Sequence, residues 1–368
     1  MKSCTFVFLT VLSKSMYHIV LSFLTSFILT YVAIPSIIKI AKEKRLMDEP
    51  GGRRVHQNSI PTLGGIAIFA GVIFSIILWT PFQVFGNLQY ILCAFIIIFL
   101  IGAKDDIIPI TPYKKLLGQL FACSILVFIA KIRLTGMYGI FGFYWIPEWL
   151  AVSLSIFTLL VIVNSFNLID GINGLSAGLG ILICMTFGLW FYITDQIILC
   201  MLSFSLIGSL TAFLKYNVTP AKIFMGDTGS LLVGLICGIL AIRFIELHKD
   251  IPSVEYKFIS APAVAIGILF IPLYDMLRVF IVRIISGKSP FHPDRLHVHH
   301  MMLDAGCSHM QASLILVSIN ALSIFLVLQF RDLGNMKLLI ILFSFGLTMT
   351  FVLRTIIRKR TSLQQINH

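Results

Sequence analysis

The chain has 368 residues, of which 58% are hydrophobic and only 12% are charged, whereas an average soluble protein carries about 25% charged residues. These proportions exclude a disordered chain and a disulfide scaffold, and they argue against a soluble globular protein. The formal net charge of +12 is explained mostly by basic loops on the inner side of a membrane, so anionic lipid is an expected partner and nucleic acid is not.

The apolar residues fall into eleven segments of about 17–25 residues, the length that an α-helix needs to cross a bilayer. A helix satisfies its own backbone hydrogen bonds in lipid, and the runs are too long for barrel strands. The sequence therefore predicts an all-α, polytopic membrane protein, with a single transmembrane domain over 1–368 and a basic tail over 354–368. The predicted spans are 16–38, 63–80, 87–103, 115–134, 147–165, 174–193, 196–215, 228–246, 258–283, 309–330 and 336–354.

Lysine and arginine are distributed unevenly between the two sides of these spans. Nineteen of the 28 lie after spans one, three, five, seven, nine and eleven, or close to those ends. Cytoplasmic loops are the ones enriched in Lys and Arg, so we predict a cytoplasmic C-terminus and an N-terminus outside. The same connections carry nearly all the unusual polar residues, which places the expected functional site on the cytoplasmic face.

The third span ends in Asp105-Asp106. Two adjacent carboxylates at a bilayer edge repel one another, so a raised pKa or a bound cation is expected. Mg²⁺ prefers carboxylate oxygens together with substrate phosphates. A functional pair is therefore favoured over a solvated helix cap. Lys115, which opens the next span, is placed either to meet a phosphate or to snorkel to the interface.

Two further connections combine glycine with polar residues. Residues 164–174 hold three asparagines and Asp170, and such backbone at membrane depth is tolerated where it lines a cavity or is buried in protein. The amides suit a base or a sugar, although an ordinary Asn/Gly turn is the alternative. In 215–230, Asp227 precedes small residues that begin a helix. The free N–H groups of a helix N-terminus can bind a phosphate, and the Asp227 carboxylate can bind the metal ion that accompanies the phosphate. An N-cap role for Asp227 is compatible with both.

The last large connection places four of the nine histidines within residues 292–300, beside Asp294 and Arg295. It lacks a cysteine pair and the His-Glu-x-x-His pattern, so phosphate binding or proton transfer is favoured over zinc. Phosphoryl transfer needs a site that neutralises charge and positions the reacting groups. The carboxylates suit a metal, the basic residues suit phosphates and the amides suit a polar head group, so this set of residues fits that reaction.

Four stretches of the sequence resemble the polyprenyl-phosphate N-acetylhexosamine-1-phosphate transferase superfamily, glycosyltransferase family 4. They are Asp105-Asp106, Asn167–Gly171, Phe224–Ser230 and the histidine connection at 291–300, in order across nearly the whole chain. The form Pro-Asp-Arg-Leu-His-Val-His-His at 293–300, and Pro272–Asp275 upstream of it, are similar to the WecA and TagO branch rather than to MraY-like enzymes.

The resemblance implies an enzyme that transfers N-acetylglucosamine 1-phosphate, or a related N-acetylhexosamine 1-phosphate, from the UDP-sugar to undecaprenyl phosphate and releases UMP. This is the first membrane step of O-antigen, enterobacterial common antigen, teichoic acid or capsule synthesis. It also implies Mg²⁺ or Mn²⁺ as the cofactor and the bacterial cytoplasmic (inner) membrane as the location. A homodimer is compatible with it.

The residue roles implied by the resemblance are as follows. Asp227, assisted by Asp106, would bind the metal, and Asp105 would orient or deprotonate the lipid phosphate. The implied catalytic set is Asp105, Asp106, Asp170 and His299. The implied substrate-binding set is Lys115, Asn167, Asn173, Asn217, Phe224 (stacking on uracil), Arg283, Arg295, His297 and His300.

One departure and several alternatives accompany this resemblance. Asn173 stands where many relatives have a second aspartate, so any scheme that needs a carboxylate there is in doubt. The sugar donor is alternatively UDP-MurNAc-pentapeptide, UDP-FucNAc or UDP-QuiNAc, and the route is either a single in-line displacement or a covalent aspartyl intermediate. A polyprenyl-lipid transporter is the alternative from another class, although transporters usually place polar residues near the bilayer midplane.

Overall fold

The computed structural model describes residues 2–46, 60–82, 85–251, 256–289 and 296–366, with backbone alone for 2–15, 361 and 363–366. Within these ranges the chain is helical apart from one short β-hairpin. The helices are α1 (Lys2–Glu43), α2 (Gly64–Trp79), α3 (Leu88–Ile107), α4 (Pro112–Ser124), α5 (Glu148–Ile169), α6 (Leu175–Ile193), α7 (Ile197–Asn217), α8 (Gly226–Leu247), α9 (Ala261–Ile268), α10 (Phe270–Ile285), α11 (Val298–Asp304), α12 (His309–Gln329) and α13 (Asn335–Ile366).

The prediction of an all-α polytopic membrane protein is confirmed. Eight described helices are long and apolar enough to cross a membrane, or nine if the bent pair α9 and α10 forms one span. The apolar helix α2 has 16 residues, and α3 carries Lys104, Asp105 and Asp106 in its last turn. The count of eleven spans and the orientation stay predictions. The basic tail from residue 354 continues α13 as helix to Ile366.

The predicted span 258–283 is broken, because α9 and α10 meet at an angle of 85°. Pro272 has no N–H to bond to the preceding turn, so the helix cannot continue through it undisturbed. Asn320 of α12 satisfies the groups freed at the bend: its Oδ1 accepts from the Ile271 N–H at 3.0 Å and its Nδ2 donates to the Ile268 carbonyl at 3.0 Å. A buried amide from another helix thus stabilises the break.

Helix α8 lies at the centre of the bundle. Its apolar window is 83% buried, the largest share among the candidate spans, and it packs against α2, α3, α5 and α6. Small residues allow the closest approach: a Cβ on Gly65 of α2 would lie 2.1 Å from the backbone nitrogen of Gly229 of α8. This packing fixes the first turn of α8 against α2 and α3.

Strands β1 (Gly136–Ile140) and β2 (Phe143–Trp145) form an antiparallel hairpin between α4 and α5. The predicted span 115–134 ends early, since α4 passes into a single π turn over Ile125–Ile129. The hairpin lies at the opposite end of α8 from Asp227, because Glu246 in the last turn of α8 accepts hydrogen bonds from Thr135 just before β1.

Candidate active site

Four helices bring their polar residues together at the first turn of α8. We call Asp105, Asp106, Lys115, Asn167 and Asp227 the aspartate cluster. Lys115 of α4 lies at its centre: its Nζ is 3.1 Å from Asp105 Oδ2, 3.3 Å from Asn167 Oδ1 and in contact with Asp227 Oδ2. Four residues that the sequence analysis names separately therefore lie together in the structure: Asp105, Lys115, Asn167 and Asp227.

Asp106 anchors the start of α8. Its Oδ1 accepts from the Asp227 N–H at 2.7 Å, and its Oδ2 accepts from the Thr228 N–H at 2.9 Å and the Thr228 hydroxyl at 2.5 Å. These donors are backbone groups that a helix N-terminus leaves without an intrahelical partner. Gly226, with a φ of +71°, makes the turn that brings the two amides to this carboxylate. Asp106 therefore holds Asp227 in place, and its role as a metal ligand stays a prediction.

Asn167, in the last turn of α5, fixes the direction of the Asp227 carboxylate. Its Nδ2 donates to Asp227 Oδ1 at 2.7 Å and to the Ser230 hydroxyl at 3.0 Å. One turn further back, Asn164 and Gln119 form a reciprocal amide pair between α5 and α4, with Asn164 Nδ2 donating to Gln119 Oε1 at 2.8 Å. This pair was not among the predicted residues, and it holds α4, and hence Lys115, against α5.

Asp170 follows α5 and faces the same cluster. Burial, together with the negative charges of Asp227 and Asp106, raises the pKa of Asp170 well above its ordinary value. Like charges pressed together disfavour the ionised form. Asp170 therefore differs from Asp105, whose two oxygens contact Lys115 and the Ile110 N–H at 3.1 and 2.8 Å.

The histidines of α11 reach the turn that follows Asp170. A Cβ on Gly171 would lie 2.3 Å from His299 Nε2, so the imidazole rests directly on the glycine. His299 is 3% exposed, and burial together with the neighbouring His300 lowers the pKa of His299 to about 3. The ring centroids of His299 and His300 are 4.3 Å apart, so the predicted His299 and His300 lie at one place.

Asn173 and Asn217 bond to the protein itself. Asn217 Oδ1 accepts from the Gly174 N–H at 2.6 Å and its Nδ2 donates to the Ile223 carbonyl at 2.9 Å. Asn173 Nδ2 donates to the Thr219 hydroxyl at 2.9 Å. Both residues join the 170–174 turn to the connection before α8, and their contacts with a substrate stay predictions.

The remaining predicted residues are placed as follows. Phe224 is partly exposed, and its backbone pairs with the segment before α2, from its N–H to the Pro61 carbonyl at 2.8 Å. Arg283 is buried near the end of α10. Arg295, with His292 and Asp294, lies outside the described residues. The roles of these residues in substrate binding stay predictions.

Asp275 and Arg278 are charged residues that the prediction did not assign to the site. They lie three positions apart on α10 and are 1% and 8% exposed. Asp275 Oδ2 accepts from His297 Nδ1 at 2.7 Å. The signal that finds them is their charge within a predicted span, since ionisable residues in such segments are costly and usually functional.

The cluster has the donors that Mg²⁺ needs. Within the described ranges, no three His, Cys, Asp or Glu side chains are arranged to hold a metal ion on their own. Mg²⁺ typically takes one or two carboxylates and completes its shell with water and substrate phosphates. Asp227 and Asp105 already hold the Lys115 ammonium between them, so the site has the negative charge and the oxygen donors for a cation.

Comparison with known proteins gives consistent matches. A family model described as glycosyl transferase family 4 matches residues 88–245, which include the whole aspartate cluster. A Bacillus subtilis (strain 168) protein named probable undecaprenyl-phosphate N-acetylglucosaminyl 1-phosphate transferase is 32% identical over 310 residues, 83% of each chain.

Two enterobacterial proteins named undecaprenyl-phosphate alpha-N-acetylglucosaminyl 1-phosphate transferase resemble this chain about as closely as the Bacillus protein does. The Salmonella typhi protein is 32% identical over 78% of this chain and 77% of its own length. The Escherichia coli (strain K12) protein is 31% identical over 77% and 76%. The chain therefore belongs to glycosyl transferase family 4, the family of these undecaprenyl-phosphate N-acetylglucosaminyl 1-phosphate transferases.

Proposed function

We propose that this chain transfers N-acetylglucosamine 1-phosphate from UDP-N-acetylglucosamine to undecaprenyl phosphate and releases UMP. The observation that carries the proposal is the contact of Lys115 with Asp105, Asn167 and Asp227, residues from four helices that meet at one end of the bundle. Phosphoryl transfer needs fixed opposite charges around the reacting phosphorus, and relatives of this chain carry that activity in their names.

The reaction is a single displacement at phosphorus. An oxygen of the lipid phosphate attacks the β-phosphorus of the nucleotide-sugar, a new P–O bond forms, and the bond from the β-phosphorus to the bridging oxygen breaks. UMP leaves with that oxygen. Asp105 orients the lipid phosphate, or removes its last proton, and Lys115 places its positive charge against the phosphates. Asn167 and Asp106 fix the position of Asp227 through the hydrogen bonds described above.

Mg²⁺ is the proposed cofactor, and Asp227 is its proposed protein ligand, with Asp105 and the Asn167 oxygen within reach of the same place. When bound, the ion neutralises charge on the pyrophosphate. Removal of divalent metal with EDTA is expected to abolish UMP release, and added Mg²⁺ or Mn²⁺ is expected to restore it. Full activity in EDTA would contradict the assignment.

The histidines and the 170–174 turn supply the proposed site for the sugar phosphate. His299 rests on Gly171 beside Asp170, and His297 and His300 neighbour it. The proposed location of this site is the cytoplasmic face of the inner membrane, because the connections that carry the site also carry most of the lysines and arginines, and such connections are typically cytoplasmic. The lipid phosphate would then enter from the inner leaflet and the nucleotide-sugar from the cytoplasm.

A direct assay tests the proposal. The purified protein in detergent is given UDP-N-acetylglucosamine, undecaprenyl phosphate and Mg²⁺, and UMP and the lipid-linked sugar are measured. A transporter of polyprenyl lipids would release no UMP, since detergent leaves no compartment to transport into. Parallel reactions with UDP-MurNAc-pentapeptide, UDP-FucNAc and UDP-QuiNAc identify the sugar.

The same protein distinguishes the two chemical routes. Incubation with the nucleotide-sugar alone would leave a phosphosugar on an aspartate if a covalent intermediate forms, and mass spectrometry of the intact chain detects that mass. In-line displacement predicts an unmodified chain and no UMP until undecaprenyl phosphate is added.

A further inference from the structure

Asp275 lies outside the aspartate cluster, yet it is one of the most completely bonded acids in the described chain. It is 1% exposed, and its Oδ1 accepts from Arg278 Nη2 at 3.0 Å and from the Val298 N–H at 2.8 Å. Its Oδ2 accepts from His297 Nδ1 at 2.7 Å. A buried carboxylate is tolerated when it is paired and hydrogen-bonded in this way. Its own oxygens therefore have partners within the protein.

These bonds hold three consecutive residues of the histidine connection. Arg278 Nη2 also donates to the Leu296 carbonyl, so Leu296, His297 and Val298 are all tied to α10. Val298 begins α11, and the first turn of α11 carries His299 onto Gly171. The His297 and His299 rings are nearly parallel, with an interplanar angle of 8° and centroids 5.7 Å apart. The placement of α10 therefore determines where His297 and His299 lie relative to the turn beside Asp170.

The bond to His297 also fixes which ring nitrogen is available. A carboxylate accepts only, so Nδ1 carries the hydrogen in this bond, and Nε2 on the other side of the ring is the nitrogen left to contact another group. An acid bonded to a working histidine in this way holds its tautomer and its direction.

We propose that Asp275 is a positioning residue that acts through His297, presenting its Nε2 to the phosphate or sugar of the nucleotide-sugar. The inference rests on the proposed function and deepens it. The stretch Pro272–Asp275, which is similar to the WecA and TagO branch, would then have a chemical role in the site. Asp275 touches no substrate itself.

The first test is a double-mutant cycle in the UMP-release assay. Asp275→Asn keeps the shape of the side chain but donates where the acid accepted, which favours the wrong tautomer of His297. We expect kcat/KM for the nucleotide-sugar to fall by about 10- to 100-fold, with a higher KM for the nucleotide-sugar and an unchanged KM for undecaprenyl phosphate. In a His297→Ala background, Asp275→Asn should cost little more, since residues that act as a unit are not additive.

A second variant keeps the proposal testable if Asp275→Asn does not fold. His297→Asn places an amide N–H where Nδ1 donated, so the bond to Asp275 and the fold are kept, and Nε2 is lost. We expect wild-type thermal stability and a loss of activity similar to that of His297→Ala. Tyr274→Phe is the matched control, because Tyr274 is the neighbour on α10 and its hydroxyl bonds to Thr350 at 2.7 Å rather than to the histidines.

Each result decides one question. Equal losses from Asp275→Asn with and without His297, or full activity of His297→Asn, would overturn the inference and leave the proposed function standing. A fall in kcat alone, with both KM values unchanged and a lower unfolding midpoint, would reduce Asp275 to a structural role. A wild-type protein that releases no UMP would overturn the proposed function, and this inference with it.

Discussion

The two ends of α8 use the same kinds of residue for opposite purposes. At the hairpin end, which comprises β1, β2 and the last turn of α8 with His248, the Glu246 carboxylate accepts from the Thr135 N–H at 2.7 Å and the Thr135 hydroxyl at 2.9 Å, from the Tyr138 hydroxyl, and from Lys249 at 3.3 Å. The single carboxylate of Glu246 thus accepts hydrogen bonds from several donors. At the other end, Asp105 and Asp227 contact Lys115, and Asp106 and Asp170 add two more carboxylates beside Asp227.

The difference lies in the balance of charge. Glu246 is surrounded by hydrogen-bond donors from the chain before β1, from β1 and from Lys249, and these bonds fasten the hairpin to α8. At the aspartate end, four carboxylates lie near a single lysine, Lys115, so negative charge is in excess there, which opposes folding unless a further cation or a substrate joins them. Protein sites that carry such a cost are commonly those that do chemistry. The comparison predicts that changes at the aspartate end lower activity and spare stability, and that changes at the hairpin end do the reverse.

The largest expected effect is at Asp227. Asp227→Asn removes the proposed metal ligand and should lower the rate of UMP release by about 10³-fold. Relief of repulsion should leave the thermal unfolding midpoint unchanged or raise it. Unfolding is followed by labelling of the buried thiols of Cys184, Cys200 and Cys237. Retained activity, or a protein that no longer folds, would contradict the functional reading of this end.

Gly171→Ala is expected to have the next largest effect. The new methyl group would lie 2.3 Å from His299 Nε2, so the imidazole must move, and a shift of this size costs roughly 10- to 100-fold in rate. Gly142→Ala is the matched control, because Gly142 has a φ of +80° and a Cβ there meets no atom within 4 Å. That control should lose some stability through backbone strain and no activity. Equal activity of the two variants would show that His299 tolerates displacement.

Glu246→Gln should show the reverse pattern. The Glu246 side chain is 15% exposed. Loss of its charge removes the ion pair with Lys249 and weakens the bonds from Thr135 and Tyr138. We expect a loss of about 1–3 kcal/mol in the free energy of unfolding, because hydrogen bonds to a charged acceptor are replaced by weaker ones. UMP release per folded molecule should match wild type well below the unfolding midpoint. A selective loss of activity would connect the two ends and break the comparison.

His248 provides the smallest expected effect, in the pH dependence of stability. Its ring stacks on Trp190 with centroids 4.5 Å apart, and Nδ1 contacts the Phe244 carbonyl at 2.6 Å. Burial lowers the pKa of His248 from 6.5 to about 4. The unfolded chain therefore binds a proton more readily, so stability is present above pH 6.5 and is lost as the pH falls towards 4.

The expected loss from this group between about pH 8 and about pH 5 is roughly 2 kcal/mol. His248→Phe should flatten that part of the stability profile, measured as the thermal unfolding midpoint across pH. Profiles with the same slope for the variant and the wild type would show that His248 is protonated in the folded protein as easily as in the unfolded one.

The bend between α9 and α10 shows how far a hydropathy pattern reaches. The run 258–283 is apolar throughout and predicts one span, and Pro272 within it signals a disturbance. The 85° angle depends on Asn320, nearly fifty residues away, whose amide bonds to both sides of the break. No local sequence pattern near residues 258–283 indicates a partner so far along the chain. The same is true of the pair Gln119 and Asn164, and of the hairpin, which Glu246 fastens from α8.

The sequence by itself determined the membrane class, the helical architecture and the residue types of the site, because hydropathy, charge asymmetry and short polar motifs are local properties of a chain. The same motifs also indicate Asp105, Lys115, Asn167 and Asp227 as site residues. Only the tertiary structure decided their division of labour. Asp106 bonds to the first turn of α8, Asn217 joins two connections, and Asp275 bonds to His297 from a different helix. Those roles depend on which donor meets which acceptor across helices, and that is fixed by packing and not by spacing along the chain.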